Sequence, residues 1–307
     1  MPNSSRRNHR AEPVGLIGLG LMGRALAERL LAAGFPLVGW DIAAAARRRF
    51  ARCGAQLAAD SSDVLTRCRR VLLSLPDSKI TRAVLTEIQP VLRRGHIIAD
   101  TSTGDPADAV GFGRITARKG AAFLDAPISG NSDQVRRSEV LAMVGGPVAA
   151  FRRCEELFAT FAAQTIHTGQ TGSAAQMKLV TNLVLGLNRA ALAEGLAFAR
   201  ALRLNGAQAL KVLRASMAYS RIMDVKGEKM LRGDFKPQAR LSQHLKDVRL
   251  MLAAAKKSGA RLPLSETHRR ILVAAEAAGY GQLDNSVIIR VIGAPVFGPA
   301  RTHRMSR

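Results

Sequence analysis

From Val14 to about Ile166, short apolar runs alternate with amphipathic stretches. The runs are VGLIGLG, PLVGWD, RVLLSLP, HIIADTS, AAFLDAP and EVLAMVGG, each closed by Gly, Pro, Asp or Ser. Each has the length of a strand and is followed by a helical pattern such as LMGRALAERLLAAG. Alternation of this kind predicts a mostly parallel sheet with helices on both faces. Beyond Thr171 the period changes. Segments around 174–204, 207–217, 241–258 and 263–278 are rich in Ala and Leu, repeat at helical spacing and are punctuated by Gly, Asn or Pro. The first, about 30 residues, is long enough to carry the chain from one domain into the next. An α/β domain over residues 13–169 and an all-α domain over 170–294 are expected, with basic tails at 1–12 and 295–307.

Composition narrows the class. A chain of 307 residues that is 47% hydrophobic can bury roughly three quarters of its unfolded surface without disulfide or metal staples. No apolar run approaches the ~20 residues of a membrane span, and no hydrophobic segment follows the basic opening as in a secretory signal. Cys53, Cys68 and Cys154 lack CxxC spacing, which fits a reducing cytoplasm. The histidines show no metal-ligand spacing, so no metal is expected. Lys and Arg number 46 against 23 acidic residues, a net charge of +23. Such a field attracts nucleic acid or small anions. Aromatics are only 4%, and none interleaves with a basic stretch as a single-strand stacking surface needs. Solvated surface charge that favours a small anionic ligand is the reading preferred here.

The first chemical signal is Gly18-Leu19-Gly20-Leu21-Met22-Gly23, between the strand VGLI and the helix that follows. Glycines at this spacing permit a tight turn, close approach of backbone to a pyrophosphate, and helix–strand packing, with the helix N-terminus facing the phosphates. Asp41 ends the next apolar run, where a carboxylate accepts from a ribose 2′-hydroxyl and repels a 2′-phosphate. Capping of the next helix is its plainer role. Arg47, Arg48 and Arg49 could supply a phosphate contact but stand at least a helical turn further on. NAD is favoured, with NADP possible. The fold class is therefore an α/β Rossmann-type dinucleotide-binding domain followed by an all-α C-terminal domain.

Five motifs occur in one order: GLIGLGLMG, DTST at 100–103, DAPISG at 125–130 leading to MVGG, GSAAQMKLVTN at 172–182, and HLKD at 244–247. In these the chain resembles the β-hydroxyacid dehydrogenase family, which includes 3-hydroxyisobutyrate, tartronate-semialdehyde and 6-phosphogluconate dehydrogenases, from about Val14 to Arg290. The resemblance implies Lys178 as general acid/base with Asn182 as its partner. The two lie four apart on one helical face, and a lysine can move a hydroxyl proton where its pKa falls from about 10.4 toward neutrality. It also implies that Ser129 and Gly130, with Asn131, hold the substrate carboxylate. Ser102 and Thr103 would lie near the nicotinamide ribose, and Lys246 and Phe235 near the cofactor. A local cap for Ser102 and Thr103, a solvated Lys246 and a core Phe235 are the bland alternatives. Leu75, Pro76 and Asp77, after the strand VLLS, would line the cofactor cleft through their backbone.

The chain departs from the family at Asn131, where relatives usually place a second Gly, and at Val135, Ser138 and Ala174. The expected activity is hydride transfer between NAD(P) and a short 3-hydroxy acid or its semialdehyde. The expected partners are a small carboxylate substrate and further copies of the chain, as homodimer or homotetramer. An imine or carbonyl reductase on the same scaffold, and a non-catalytic nucleic-acid-associated member, are the rival readings.

Overall fold

A computed structural model describes residues 12–292; the expected tails fall almost wholly outside them. The chain opens with β1 (Val14–Ile17), α1 (Leu21–Ala32), β2 (Leu37–Trp40), α2 (Ala44–Ala51), β3 (Gln56–Leu57) and α3 (Ser61–Arg67). Then come β4 (Arg70–Leu73), α4 (Ser78–Ile88), β5 (Ile97–Asp100), α5 (Pro106–Ala117), β6 (Ala122–Asp125), β7 (Ile128–Ser129) and α6 (Ser132–Arg136). β8 (Val140–Gly145), α7 (Val148–Phe158) and β9 (Ala162–Gly169) complete the sheet. Its order is β3-β2-β1-β4-β5-β6-β8-β7, with β9 beside β8. Strands β3 to β6 of that row run parallel, whereas β8 is antiparallel to β6 and β7.

The period of two in the apolar runs builds a core on each face of this sheet. Leu16 and Leu72 point into one cluster with Leu26, Leu30 and Phe158, while their neighbours Ile17 and Leu73 point into the other with Val64, Leu85 and Phe112. Strands buried on both sides read as continuous hydrophobic runs for this reason. Each such side chain contributes about 1.5–3 kcal/mol through burial. Helix starts follow the capping residues: Asp60, Asp77 and Asp105 each accept from a backbone amide at the head of α3, α4 and α5.

The remaining α-helices are α8 (Ser173–Ala201), α9 (Gly206–Ala215), α10 (Ile222–Arg232), α11 (Leu241–Ser258), α12 (Pro263–Ala275) and α13 (Ile289–Ile292). Gly233 and Gly259 end α10 and α11 in left-handed conformations, φ 66° and 73°. The chain divides into two compact units between Thr181 and Asn182, within α8. No helix among the described residues is long and apolar enough to cross a membrane.

Candidate active site

The glycine loop joins β1 to α1 at the carboxyl edge of the parallel strands, and its three glycines have three different reasons. Gly18 has φ 93°, and a Cβ there would stand 2.2 Å from the Ser74 carbonyl oxygen. Gly23 would drive a Cβ to 1.9 Å from the Gly18 carbonyl oxygen, so helix and loop are in direct backbone contact. Around Gly20 nothing lies within 4 Å of the added atom, which leaves the space a pyrophosphate needs. The first amides of α1 have no partner within the helix, and its first turn carries no acidic residue. These residues fit a dinucleotide. Leu19 contributes its backbone, since its side chain is core; Met22 packs against that core and Leu21 is exposed.

Asp41 stands at the end of β2 and accepts from the Leu19 amide (2.7 Å) and the Ala43 amide (2.7 Å). Its carboxylate therefore ties the glycine loop to the start of α2, and each oxygen keeps acceptor capacity for a hydroxyl. Arg47 departs from expectation. Its guanidinium does not stand a turn away but folds back over Trp40, 4.5 Å from the ring centroid, and donates to the carbonyls of Asp41 (2.7 Å) and Ile42 (3.1 Å). Helical spacing gives the Cα position, but a long flexible side chain reaches further.

The loops after β4 and β5 are joined by Ser102, whose hydroxyl accepts from the Leu75 amide at 2.9 Å. Thr103 follows in the same loop, and Pro76 lies next to Leu75. Asp77 uses its side chain as the N-cap of α4, accepting from Ile80 at 3.0 Å. Asp100, at the end of β5, is buried; burial pushes its carboxyl pKa up, opposed by hydrogen bonds from Ser102 and Thr81.

Ser129 is partly exposed at the end of β7. Gly130 has φ 150°, and a Cβ there would reach 2.4 Å from Val140 Cγ1, so glycine is required. Asn131 is committed elsewhere. Its side-chain oxygen accepts from the amides of Asp133 and Gln134 (3.0 Å each), and its own amide donates to Gln134 Oε1 at 3.0 Å. This reciprocal capping box starts α6, and the departure from the family's second Gly thus has a local structural role.

Asp125, inside the DAPISG segment, is a residue to which sequence reasoning assigned no role. It is 3% exposed and accepts from the Gly172 and Ala175 amides, 2.8 Å each, which holds the first turn of α8. Its signal was an aspartate closing a fully apolar strand. In the second turn of α8, Lys178 is 6% exposed, and Asn182 (6%) follows one turn later on the same face.

In the second unit, Asn182 donates through Nδ2 to Asp247 Oδ2 at 3.1 Å, and Lys246 Nζ lies 3.7 Å from Asp247 Oδ1. The two ends of the GSAAQMKLVTN and HLKD motifs are thus brought together, with buried Asp247 as the link. Further along this face, Gly186 admits the His244 and His268 rings, whose atoms would stand 2.8–2.9 Å from a Cβ. Arg189 is fully buried and its pKa is pushed down to about 10 by that burial, against the pull of Asp284 and Asp247. Phe235 is buried beneath the Arg290 guanidinium, 4.8 Å from its ring centroid, so here it has a packing role.

Residues 13–169 match the family model for the NAD binding domain of 6-phosphogluconate dehydrogenase. Residues 172–292 match the one for the NAD-binding region of NADP-dependent 3-hydroxyisobutyrate dehydrogenase. The chain is 30% identical over 282 residues to 2-(hydroxymethyl)glutarate dehydrogenase of Eubacterium barkeri, covering 91% of this chain and 94% of that one. It is 29% identical to L-threonate dehydrogenase of Cupriavidus necator, covering 91% and 95%. The structure of Mycobacterium tuberculosis 3-hydroxyisobutyrate dehydrogenase with L-serine superimposes with a TM-score of 0.85 at 26% identity, covering 92% of this chain and 100% of that one. With the glycine loop built for a dinucleotide and both halves matched in order, the chain belongs to the β-hydroxyacid dehydrogenase family of NAD(P)-dependent oxidoreductases that act on CH–OH groups.

Proposed function

We propose that the chain transfers a hydride reversibly between NAD(P) and the hydroxyl-bearing carbon of a short 3-hydroxy acid, or its semialdehyde, with Lys178 as general acid/base. The observation that carries this reading is the buried pair Lys178 and Asn182 on one face of α8, with the Asn182 amide held by Asp247. The bound nicotinamide supplies or accepts the hydride. Lys178 Nζ takes the hydroxyl proton as the carbonyl forms, and returns it in the reverse direction. Asn182 orients the reacting oxygen. Because Nδ2 is tied to Asp247, the amide presents one orientation rather than two.

Ser129 and Gly130 hold the carboxylate through the hydroxyl and the backbone amide. Asn131 can offer that site only its side-chain Nδ2, since its backbone amide and side-chain oxygen serve the α6 cap. Both named relatives act on hydroxy acids by their names, which supports an acid rather than a neutral alcohol.

Nicotinamide absorbance with purified protein tests the reading against short 3-hydroxy acids and their semialdehydes, with NAD and NADP supplied separately. Turnover of carboxylate substrates is the expected result. Turnover only of imines or of carbonyls lacking a carboxylate would transfer the scaffold to the reductase reading. NAD is the expected preference from Asp41; turnover with NADP alone would give the cofactor decision to Arg47.

A further inference from the structure

Six of the 46 basic residues lie in 1–11 and 293–307, so residues 12–292 keep 40 basic side chains against all 23 acidic ones, a surplus of 17. Part of that surplus is concentrated at one edge of the first unit. Strands β4, β5 and β6 enter the sheet level with one another, Arg70 opposite Ile97 and Ile97 opposite Ala122. Just ahead of them stand Arg69, Arg93 with Arg94, and Arg118 with Lys119, all exposed. The three entry segments are tied by backbone bonds: Ile97 donates to Arg69 (2.8 Å), Gly95 to Gly120 (3.3 Å) and Ala122 to His96 (2.9 Å).

Two left-handed glycines let the arginines lie across these segments. A Cβ on Gly95 (φ 92°) would stand 3.1 Å from Arg69 Nη1, and one on Gly120 (φ 69°) would stand 3.2 Å from Arg94 Cβ. Neighbouring strands are ~4.8 Å apart, so the three backbone segments that carry the five cations span roughly 10 Å. The carboxylates of Asp63 and Glu156 are paired with Arg67 and Arg70 instead. Beneath the row, buried His96 has its pKa lowered, by burial first and then by Arg93 and Arg69.

The chemistry of the row selects its partner. Segments 67–70, 93–96 and 118–121 contain no Phe, Tyr or Trp, so they offer neither a base-stacking platform nor an aromatic membrane anchor. Unpaired exposed guanidiniums need only phosphates. Duplex DNA presents about one charge per 1.7 Å of axis, enough to meet several of these cations at once.

We propose that this entry edge binds the phosphate backbone of double-stranded nucleic acid. The surface lies at the amino ends of the parallel strands, opposite the carboxyl edge that carries the glycine loop, so duplex and dinucleotide bind together.

Anisotropy of a short labelled DNA duplex, titrated with the full chain over a range of salt, tests this. Affinity should fall on a log–log plot with a slope of about −3 to −5. Arg94→Glu/Lys119→Glu should weaken binding at least about tenfold and flatten the slope by about 2. Lys211→Glu/Arg270→Glu, an equal charge change on α9 and α12, should shift it less than about twofold. The milder Arg93→Gln/Arg118→Gln should follow the first variant with an unchanged melting temperature, and saturating NADH should leave duplex affinity unchanged. No duplex binding, equal losses in the patch and control variants, or tighter patch-dependent binding to phosphatidylserine vesicles than to DNA would overturn the proposal.

Discussion

Lys178→Ala is expected to lower kcat by about 10²–10⁴-fold, the range a positioned general acid/base supplies. Affinity for the dinucleotide should stay near that of the wild type. The separation follows from the structure: the cofactor loop is shaped by Gly18 and Gly23 against backbone and by Asp41, which accepts from the Leu19 amide, while Lys178 stands on α8. Lys178→Arg should be nearly as poor, because a guanidinium keeps the charge but does not release a proton near neutral pH. Steady-state kinetics alongside NADH fluorescence titration reads both quantities. Unchanged kcat would remove Lys178 from the reaction, and a parallel loss of cofactor affinity would mean that the variant damages the fold instead.

Lys226→Met carries the largest expected effect on stability, about 3–5 kcal/mol, because it leaves a buried carboxylate without its counter-charge. Lys226 Nζ donates to both oxygens of Asp284 at 2.9 Å, and the two side chains are 5% and 0% exposed. Burial alone would raise the Asp284 pKa. The Lys226 charge, the Gln238 amide and the Ser286 hydroxyl reverse that and hold it at about 2. Lys226 has fewer compensating partners, and burial lowers its pKa.

The sign for pH follows from Asp284. Its folded pKa lies below its ordinary 3.8, so the unfolded chain takes up that proton first as pH falls. The stabilisation is complete above about pH 5 and is lost as pH drops toward 2. Thermal melts of Lys226→Met should show a melting temperature lower by about 10 °C near neutral pH, with the gap to wild type narrowing in acid. A gap under about 1 kcal/mol would show that the pair contributes far less than its burial implies.

The sheet was legible in the sequence wherever a strand is buried on both faces. β1, β2, β4, β5, β6 and β8 are each part of an apolar run closed by a turn residue. The strands that were not legible lack that signal: β3 and β7 are two residues each, and β9, AAQTIHTG, is mostly exposed or half-buried along its length. Helix α10 was missed because Gly227 and its charged residues interrupt the pattern. In the structure that glycine allows close packing, since a Cβ there would lie 2.6 Å from Leu210 Cδ1.

At the site, local spacing was sufficient for the glycine loop and for placing Lys178 and Asn182 on one helix face, because turn and helix geometry fix those relations within a few residues; the role proposed for the pair came from the family resemblance. The contact of Asn182 with Asp247 spans 65 residues, and no local rule reaches that far. Asp125 at the head of α8 and Arg47 over Trp40 are tertiary in the same sense. Asn131 shows the converse case. Family resemblance pointed to a carboxylate contact, whereas the Asn-x-x-Gln spacing carried a capping box that the local sequence already contained.

The reaction proposed for the chain is hydride transfer between nicotinamide and a hydroxyl-bearing carbon. Its most direct test is a reduction run with NADH or NADPH carrying deuterium at both C4 positions of the nicotinamide and a short semialdehyde acid, with the product analysed by mass spectrometry and NMR. One deuterium is expected on the carbon that becomes the CH–OH, delivered by the wild type and lost with Lys178→Ala. Product formed without deuterium at that carbon, or delivered as rapidly by Lys178→Ala, would contradict it.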